Sequence, residues 1–328
     1  MRRGRRGTQA RPFCQRAQIQ QRGYSLPLQR ALTDFGAEES FGRATEKMRE
    51  HYGIELGASA VRTQTLTHAK GIGAVEHAAA SPPVKTVITE LDGSMIPVVK
   101  TGIGAGLDKR KEKEVFWREA RLCCARSSDA VDSIYEATLG SVNVAGLLWH
   151  ETARAAGLGD KTHVHGLGDG APWIMNTFQE QFGAQGKFTV DFWHVSDYLA
   201  QAAPVLAPGK NKEWLRQQQD HLLLNQVDAV LDSLERHREP AEKSDAPVRT
   251  AYGYLHQRRA HLDYAGAKAA GLPIGSGEVE GGHRHVPQER LKISGAWWLE
   301  TTVQWMLQLR VKRANQDWET YWSQIAKN

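Results

Sequence analysis

Carboxylates are the side chains through which this sequence could do chemistry. Asp92 closes the strand-like run 84–91, Asp169 sits between Gly168 and Gly170 in THVHGLGDGAPWI, and Glu278 and Glu280 stand in PIGSGEVEGG on a late helix. Singly, each suits a turn or a cap. Glycines beside an Asp mark a sharp change of direction, and Gly277 three residues before Glu280 suits a helix start. Together, two strand-end aspartates and a helical glutamate can converge on a pair of Mg²⁺ ions about 3.5–4 Å apart. Such a pair stabilises both the attacking and the leaving oxygen in phosphoryl transfer.

Other chemistry-bearing residues point to blander roles. His163 and His165 share a strand face, but their spacing to Asp169 does not make a compact HxHxDH set, so they read as ordinary strand histidines. His283 and His285 read as a phosphate-facing surface. Gly102, Gly104 and Gly106 are followed by a charged run and not by an apolar-faced helix, which favours a hairpin loop over a dinucleotide site. Cys123 and Cys124 lie in an apolar run and read as core. Trp297 and Trp298 also suit a core, with stacking on a base as the alternative.

The elements that must position these residues follow from periodicity. Residues 28–67 carry a helical pattern in which Phe41, Ala44, Met48 and Tyr52 share a face. YGIEL then turns the chain into a second helix at Ala58, a helix-turn-helix outline that could enter a major groove. A strand over 84–91, a turn at Asp92–Gly93 and a returning strand over 95–99 are expected next. VFWREARLCCA gives a third strand, 129–156 a helix, THVHG a fourth strand, and KFTVDFWHV a fifth. Pro172 opens a helix between the last two. Residues 196–270 are mostly helical and polar, and a final helical region starts near Ser276–Gly277. The class is mixed α/β.

Composition fits a soluble globular chain of 328 residues, 41% apolar and 24% charged. No apolar run approaches the roughly 18–20 residues of a membrane span. Three cysteines without a CxxC pair suggest reduced thiols in a cytoplasmic protein. The net charge of +5 hides an asymmetry: eight arginines, Arg2 to Arg30, precede the first acid, Asp34. A second basic set, Arg284, Arg290, Lys292, Arg310, Lys312 and Arg313, lies near the C-terminus. Such clusters suit a polyanion, through counterion release, or a disordered tail and a solvated helix face.

Four segments taken in order, LDGSMIPV, GDGAPWI, VDFWHVSDYL and PIGSGEVEGGHRHVPQERLKISGAWW, resemble the DDE transposases of bacterial insertion sequences, in the mutator-like group. The resemblance runs from about Leu26 to Trp318. It implies a ribonuclease H-like mixed five-stranded sheet with flanking helices, a helical insertion and an N-terminal helix-turn-helix-like region. The implied domains are a basic, disordered tail over 1–25, a DNA-binding region over 26–75, a catalytic domain over 76–195 and 271–328, and an insertion over 196–270. Asp92, Asp169 and Glu280 match the catalytic and metal-binding triad, with two Mg²⁺ or Mn²⁺ ions as cofactors, and Glu278 falls at the variable position. Asp191 and His194 match a site-organising D/CxxH signature. Arg284, Arg290, Lys292 and Trp298 are the DNA-binding candidates, and the partners implied are DNA and further copies of the chain.

Two features depart from the pattern. Gly281–Gly282 replace a small residue followed by a helix former. Pro287 falls inside the late helix, where it would break or kink it at a cost of about 3 kcal/mol or more. They keep two alternatives open: an inactive DNA-binding remnant, and a nuclease that cuts without joining.

Overall fold

A computed structural model describes residues 23–72, 81–101 and 113–327. The expected basic tail, apart from residues 23–25, and the Gly102–Gly106 loop lie outside the described residues. No described helix is long and apolar enough to cross a membrane. The described residues form two compact units, one from 81–96 and 118–284, the other from 23–72, 97–101, 113–117 and 285–327. This division differs from the expected one. It assigns residues 285–327 to the unit of the N-terminal helices, and it does not set 196–270 apart.

The first unit is built on a five-stranded sheet in the order β3-β2-β1-β4-β5. Its strands are β1 (Thr86–Thr101) and β2 (Lys113–Ser127), whose parts 97–101 and 113–117 fall in the second unit, together with β3 (Ile134–Thr138), β4 (His163–Gly168) and β5 (Gly186–Val190). β4 runs parallel to both β1 and β5, whereas β3 runs antiparallel to β2. The sheet is therefore mixed, and both its composition and its order are compatible with a ribonuclease H-like fold. Buried runs such as Val87–Leu91 suit a strand covered on both faces.

Two strands differ from expectation. Asp92–Gly93 is not a turn, because β1 continues through it to Thr101. A Cβ at Gly93 would meet the carboxylate of Glu119 in β2, the movable end of a flexible side chain. The stretch 129–156, expected as one helix, contains β3 before α4 (Val142–Ala155). Ser141 caps α4 by accepting from the Val144 N–H at 3.4 Å.

Helices cover this sheet and extend it. After α5 (Pro172–Phe182) and β5 come α6 (Phe192–Leu206), α7 (Asn211–Leu223), α8 (Val227–Glu235), α9 (Pro247–Arg258) and α10 (Tyr264–Ala269). The expected insertion is helical, yet its Leu222, Val230 and Leu255 join the same apolar cluster as Val87, Val164 and Phe188 of the sheet. Trp149 of α4 is fully buried in that cluster, and its indole N–H donates to Thr89 Oγ1 at 2.6 Å. Cys123 and Cys124 are buried as expected, and burial pushes the Cys123 thiol up to about 12, so it is inert.

The second unit packs α1 (Leu26–Glu38), α2 (Phe41–Tyr52) and α3 (Ala58–Ile72) around Leu32, Ala44, Met48 and Val61. Ser40 caps α2, and Gly53, at φ +64°, ends it in the left-handed conformation that glycine adopts without steric cost. Tyr52 is exposed instead of sharing the buried face. Helix α12 (Glu300–Ala314) packs on α1 and α3.

His68 of α3 is buried in this unit, with Tyr321 Oη 2.8 Å from Nδ1 and Gln29 Oε1 3.0 Å from Nε2. An amide oxygen only accepts, so Nε2 carries the proton and Nδ1 accepts from the tyrosine hydroxyl. Burial lowers the imidazole from 6.5 to about 4. Between those values the unfolded chain binds the proton and the folded chain does not, so stability contributed by His68 is present above pH 6.5 and lost as pH falls. The unfolding free energy of the wild type relative to His68→Gln, measured in urea, is expected to fall by about 3 kcal/mol from pH 6.5 to below pH 4. A difference independent of pH would mean that the imidazole titrates normally.

Candidate active site

Register brings two of the expected residues to one level. β1 pairs with β4 at a constant offset, Thr86 against His163 through Glu90 against Leu167. Extended two residues past the last pair, the same offset would set Asp92, within β1, level with Asp169, just beyond the end of β4. Adjacent strands lie about 4.8 Å apart, so this offset would place the two carboxylates on neighbouring chains where the β1–β4 pairing ends.

Asp92 is partly exposed. Its Oδ1 accepts from the Gly93 N–H at 2.7 Å, and its Oδ2 lies 3.2 Å from His283 Nε2. That contact is within ion-pair range but lacks hydrogen-bond geometry, so among the described residues both nitrogens of the buried His283 ring are without a hydrogen-bond partner.

Asp169 is fixed by its own turn and by the insertion. Its Oδ1 accepts from the Ala171 N–H at 2.7 Å. The Tyr254 hydroxyl of α9 donates to the Asp169 carbonyl, and Arg258 Nε donates to the Gly170 carbonyl at 2.8 Å. Gly170 has φ +73°, and a Cβ there would lie 2.8 Å from Arg258 Nε, so glycine is needed twice over.

Glu278 and Glu280 diverge on α11 (Gly277–His283). Glu278 Oε2 accepts from Ser133 Oγ and Tyr135 Oη, each at 3.3 Å, which turns it toward β3. Glu280 is exposed, and its carboxyl is raised by desolvation and by the charges of Asp191 and Asp92. The charge of Asp92 thus acts on Glu280.

Beneath α11 lie two buried carboxylates. Asp191 Oδ1 accepts from the His194 N–H at 2.6 Å, capping α6. Its Oδ2 accepts from both the N–H and the hydroxyl of Ser276. His194 packs its ring against Tyr198 and Tyr254. Glu90, 1% exposed, accepts from the Val279 N–H at 2.8 Å. Burial raises the Glu90 carboxyl to about 8; the Val279 bond opposes this, and the charges of Glu278 and Asp191 add to it.

The nucleic-acid candidates are placed unevenly. Arg284 and Lys292 are exposed. Arg290 is not a phosphate-facing side chain: it is 1% exposed, its guanidinium lies 4.6 Å from the Phe41 ring and 4.7 Å from the Trp298 ring, and Nε donates to the Gly36 carbonyl at 3.0 Å. Desolvation, together with the charge of Arg310, lowers it to about 10. Trp298 is likewise buried, held by backbone bonding between Val99 N–H and its carbonyl at 2.8 Å, so it offers no open face for a base. Its neighbour Trp297 is the exposed one. Pro287 is accommodated in a π-helical turn, Arg284–Gln288, a common device where proline disrupts the helical ladder.

Sequence reasoning missed Glu90, Tyr254 and Arg258, and it read His283 as part of a phosphate-facing surface, whereas the His283 ring is buried beside Asp92. Only Glu90 left a signal, as a lone acid in the apolar run VITEL two residues before Asp92. The chain matches no protein-family model and no curated protein.

The donor set formed by Asp92, Asp169 and Glu280 suits a hard divalent cation in kind, since it offers oxygens alone. It is not gathered as a finished site. Among the described residues, no three His, Cys, Asp or Glu side chains are grouped so as to hold a metal ion.

Proposed function

We propose that the chain is a DNA transposase that cleaves and joins DNA strands at Asp92, Asp169 and Glu280. The observation that carries this reading is the β1–β4 register, whose offset, extended two residues past its last pair, sets Asp92 within β1 level with Asp169 just beyond β4. Glu280 supports it from α11, coupled to Asp92 while Glu278 is bonded toward β3. In this reading the three carboxylates would hold Mg²⁺ or Mn²⁺, which when bound supplies activation of the nucleophile and neutralisation of charge on the phosphoryl group. The protein's own part is placement. Tyr254 and Arg258 fix the Asp169 turn, while Asp191 and Glu90 fix the start of α11. Water would open a phosphodiester at the element's end, and the freed 3′-hydroxyl would attack target DNA at the same centre.

DNA would be held by exposed cations such as Arg284 and Lys292, and by the exposed start of α3, where Ser59 and Arg62 face solvent. A cytoplasmic protein acting as an oligomer on DNA belongs to the same proposal. The test is incubation with DNA bearing the element's terminal repeats, with Mg²⁺ and with chelator. Chelator-sensitive nicking at the repeat boundary and joining to a second duplex are expected. Cleavage without joining would leave a nuclease. Ungathered carboxylates favour a second reading, a metal-independent DNA-binding remnant, which predicts DNA binding with neither cleavage nor joining.

A further inference from the structure

Glu90 and Asp92 lie two residues apart on β1 and so share a strand face. Glu90 reaches α11 directly, for its Oε2 accepts from the Val279 N–H at 2.8 Å, and Val279 immediately precedes Glu280. A single strand therefore carries Asp92 and also grips the backbone beside Glu280. Asp191 holds the same helix one turn earlier, through the N–H and hydroxyl of Ser276. Two anchors on one short helix determine both its position and its rotation. Ser276 fixes where the helix begins, and the Glu90 bond fixes how far its first turn is drawn to β1. Glu280 itself is exposed, and its backbone N–H donates to the Ser276 carbonyl at 3.2 Å.

We propose that Glu90 is a positioning residue whose acceptor oxygen, bonded to the Val279 N–H, sets the height at which α11 presents Glu280 beside Asp92. What the site requires at residue 90 is an acceptor of this reach, not a charge. Glutamine retains such an oxygen on the same stem, whereas leucine fills similar space without one. The consequence for ion binding rests on the transposase reading; the consequence for the helix does not.

The experiment compares wild type, Glu90→Gln, Glu90→Leu and Val279→Pro. Val279→Pro deletes the donor in the first helical turn, where proline is tolerated. Folding is matched by near-ultraviolet circular dichroism. Amide hydrogen exchange is read over 276–283, and Mn²⁺ affinity is read by electron paramagnetic resonance, with Glu280→Ala as reference. Glu90→Leu is expected to speed exchange at Val279 and Glu280 by about tenfold or more and to weaken Mn²⁺ binding by about tenfold, the scale on which partners of metal ligands act. Glu90→Gln is expected to remain within about threefold of wild type in both. Val279→Pro should match Glu90→Leu in Mn²⁺ affinity, which keeps the test decisive if the leucine variant does not fold.

Unchanged exchange in Glu90→Leu, or a glutamine variant as impaired as the leucine one, overturns the proposal. Wild-type protein that takes up no Mn²⁺ through Glu280 would instead overturn the transposase reading, and hydrogen exchange would still decide the role of Glu90.

Discussion

Asp169→Asn is expected to reduce Mg²⁺-dependent strand cleavage by more than about 100-fold while leaving the fold intact. Even the partners of metal ligands cost about 10–100-fold when lost, so a ligand itself should cost more. Asparagine keeps the carbonyl oxygen that accepts from the Ala171 N–H, and the turn is also held through backbone carbonyls by Tyr254 and Arg258. Only the charge is removed. The urea midpoint should therefore barely move, while cleavage of DNA carrying the element's ends disappears. Wild-type cleavage by a folded Asp169→Asn protein would sink the proposed mechanism. Gly170→Ala should behave oppositely. It leaves the carboxylate in place but strains a backbone at φ +73° and crowds Arg258, so it should lower stability before it lowers chemistry.

What the sequence revealed and concealed divides along the range of the interaction. The spacing from Asp92 to Asp169 was legible, and it is the same offset that pairs β1 with β4. The helix start near Ser276 was legible as well, although Ser276 and not Gly277 is its N-cap, and its hydroxyl donates to Asp191 instead of capping the helix. Asp92–Gly93 misled because the pair is a strong turn signal, yet β1 runs on through it, hydrogen-bonded to β2 on one side and β4 on the other. β3 was hidden because five residues, IYEAT, are too few to show a period against the helix that follows. Arg290 misled for a different reason. A basic segment reads as solvated charge, but the flat guanidinium can stack, and here it fills the space between Phe41 and Trp298. The hold of Tyr254 and Arg258 on the Asp169 turn spans more than eighty residues of chain, and no local pattern encodes it.

Asp191→Ala is expected to destabilise its unit by about 4 kcal/mol or more. The Asp191 side chain is 1% exposed and accepts from three donors, the His194 N–H, the Ser276 N–H and the Ser276 hydroxyl. Each donor left buried and unpaired costs about 1–3 kcal/mol, and the loss falls on two helix starts at once. Asparagine is no substitute here. One carbonyl oxygen cannot serve both sites, and its amide would turn donors toward the donors on Ser276. Urea denaturation should place Asp191→Asn nearer to alanine than to wild type. Ser276→Ala, which removes a single hydroxyl, should cost only about 1 kcal/mol. The double variant should then cost less than the sum of the two, since both act on one network. Additive costs would mean that Asp191 caps α6 alone and does not carry α11. In that case Glu280 would rest on the Glu90 anchor by itself.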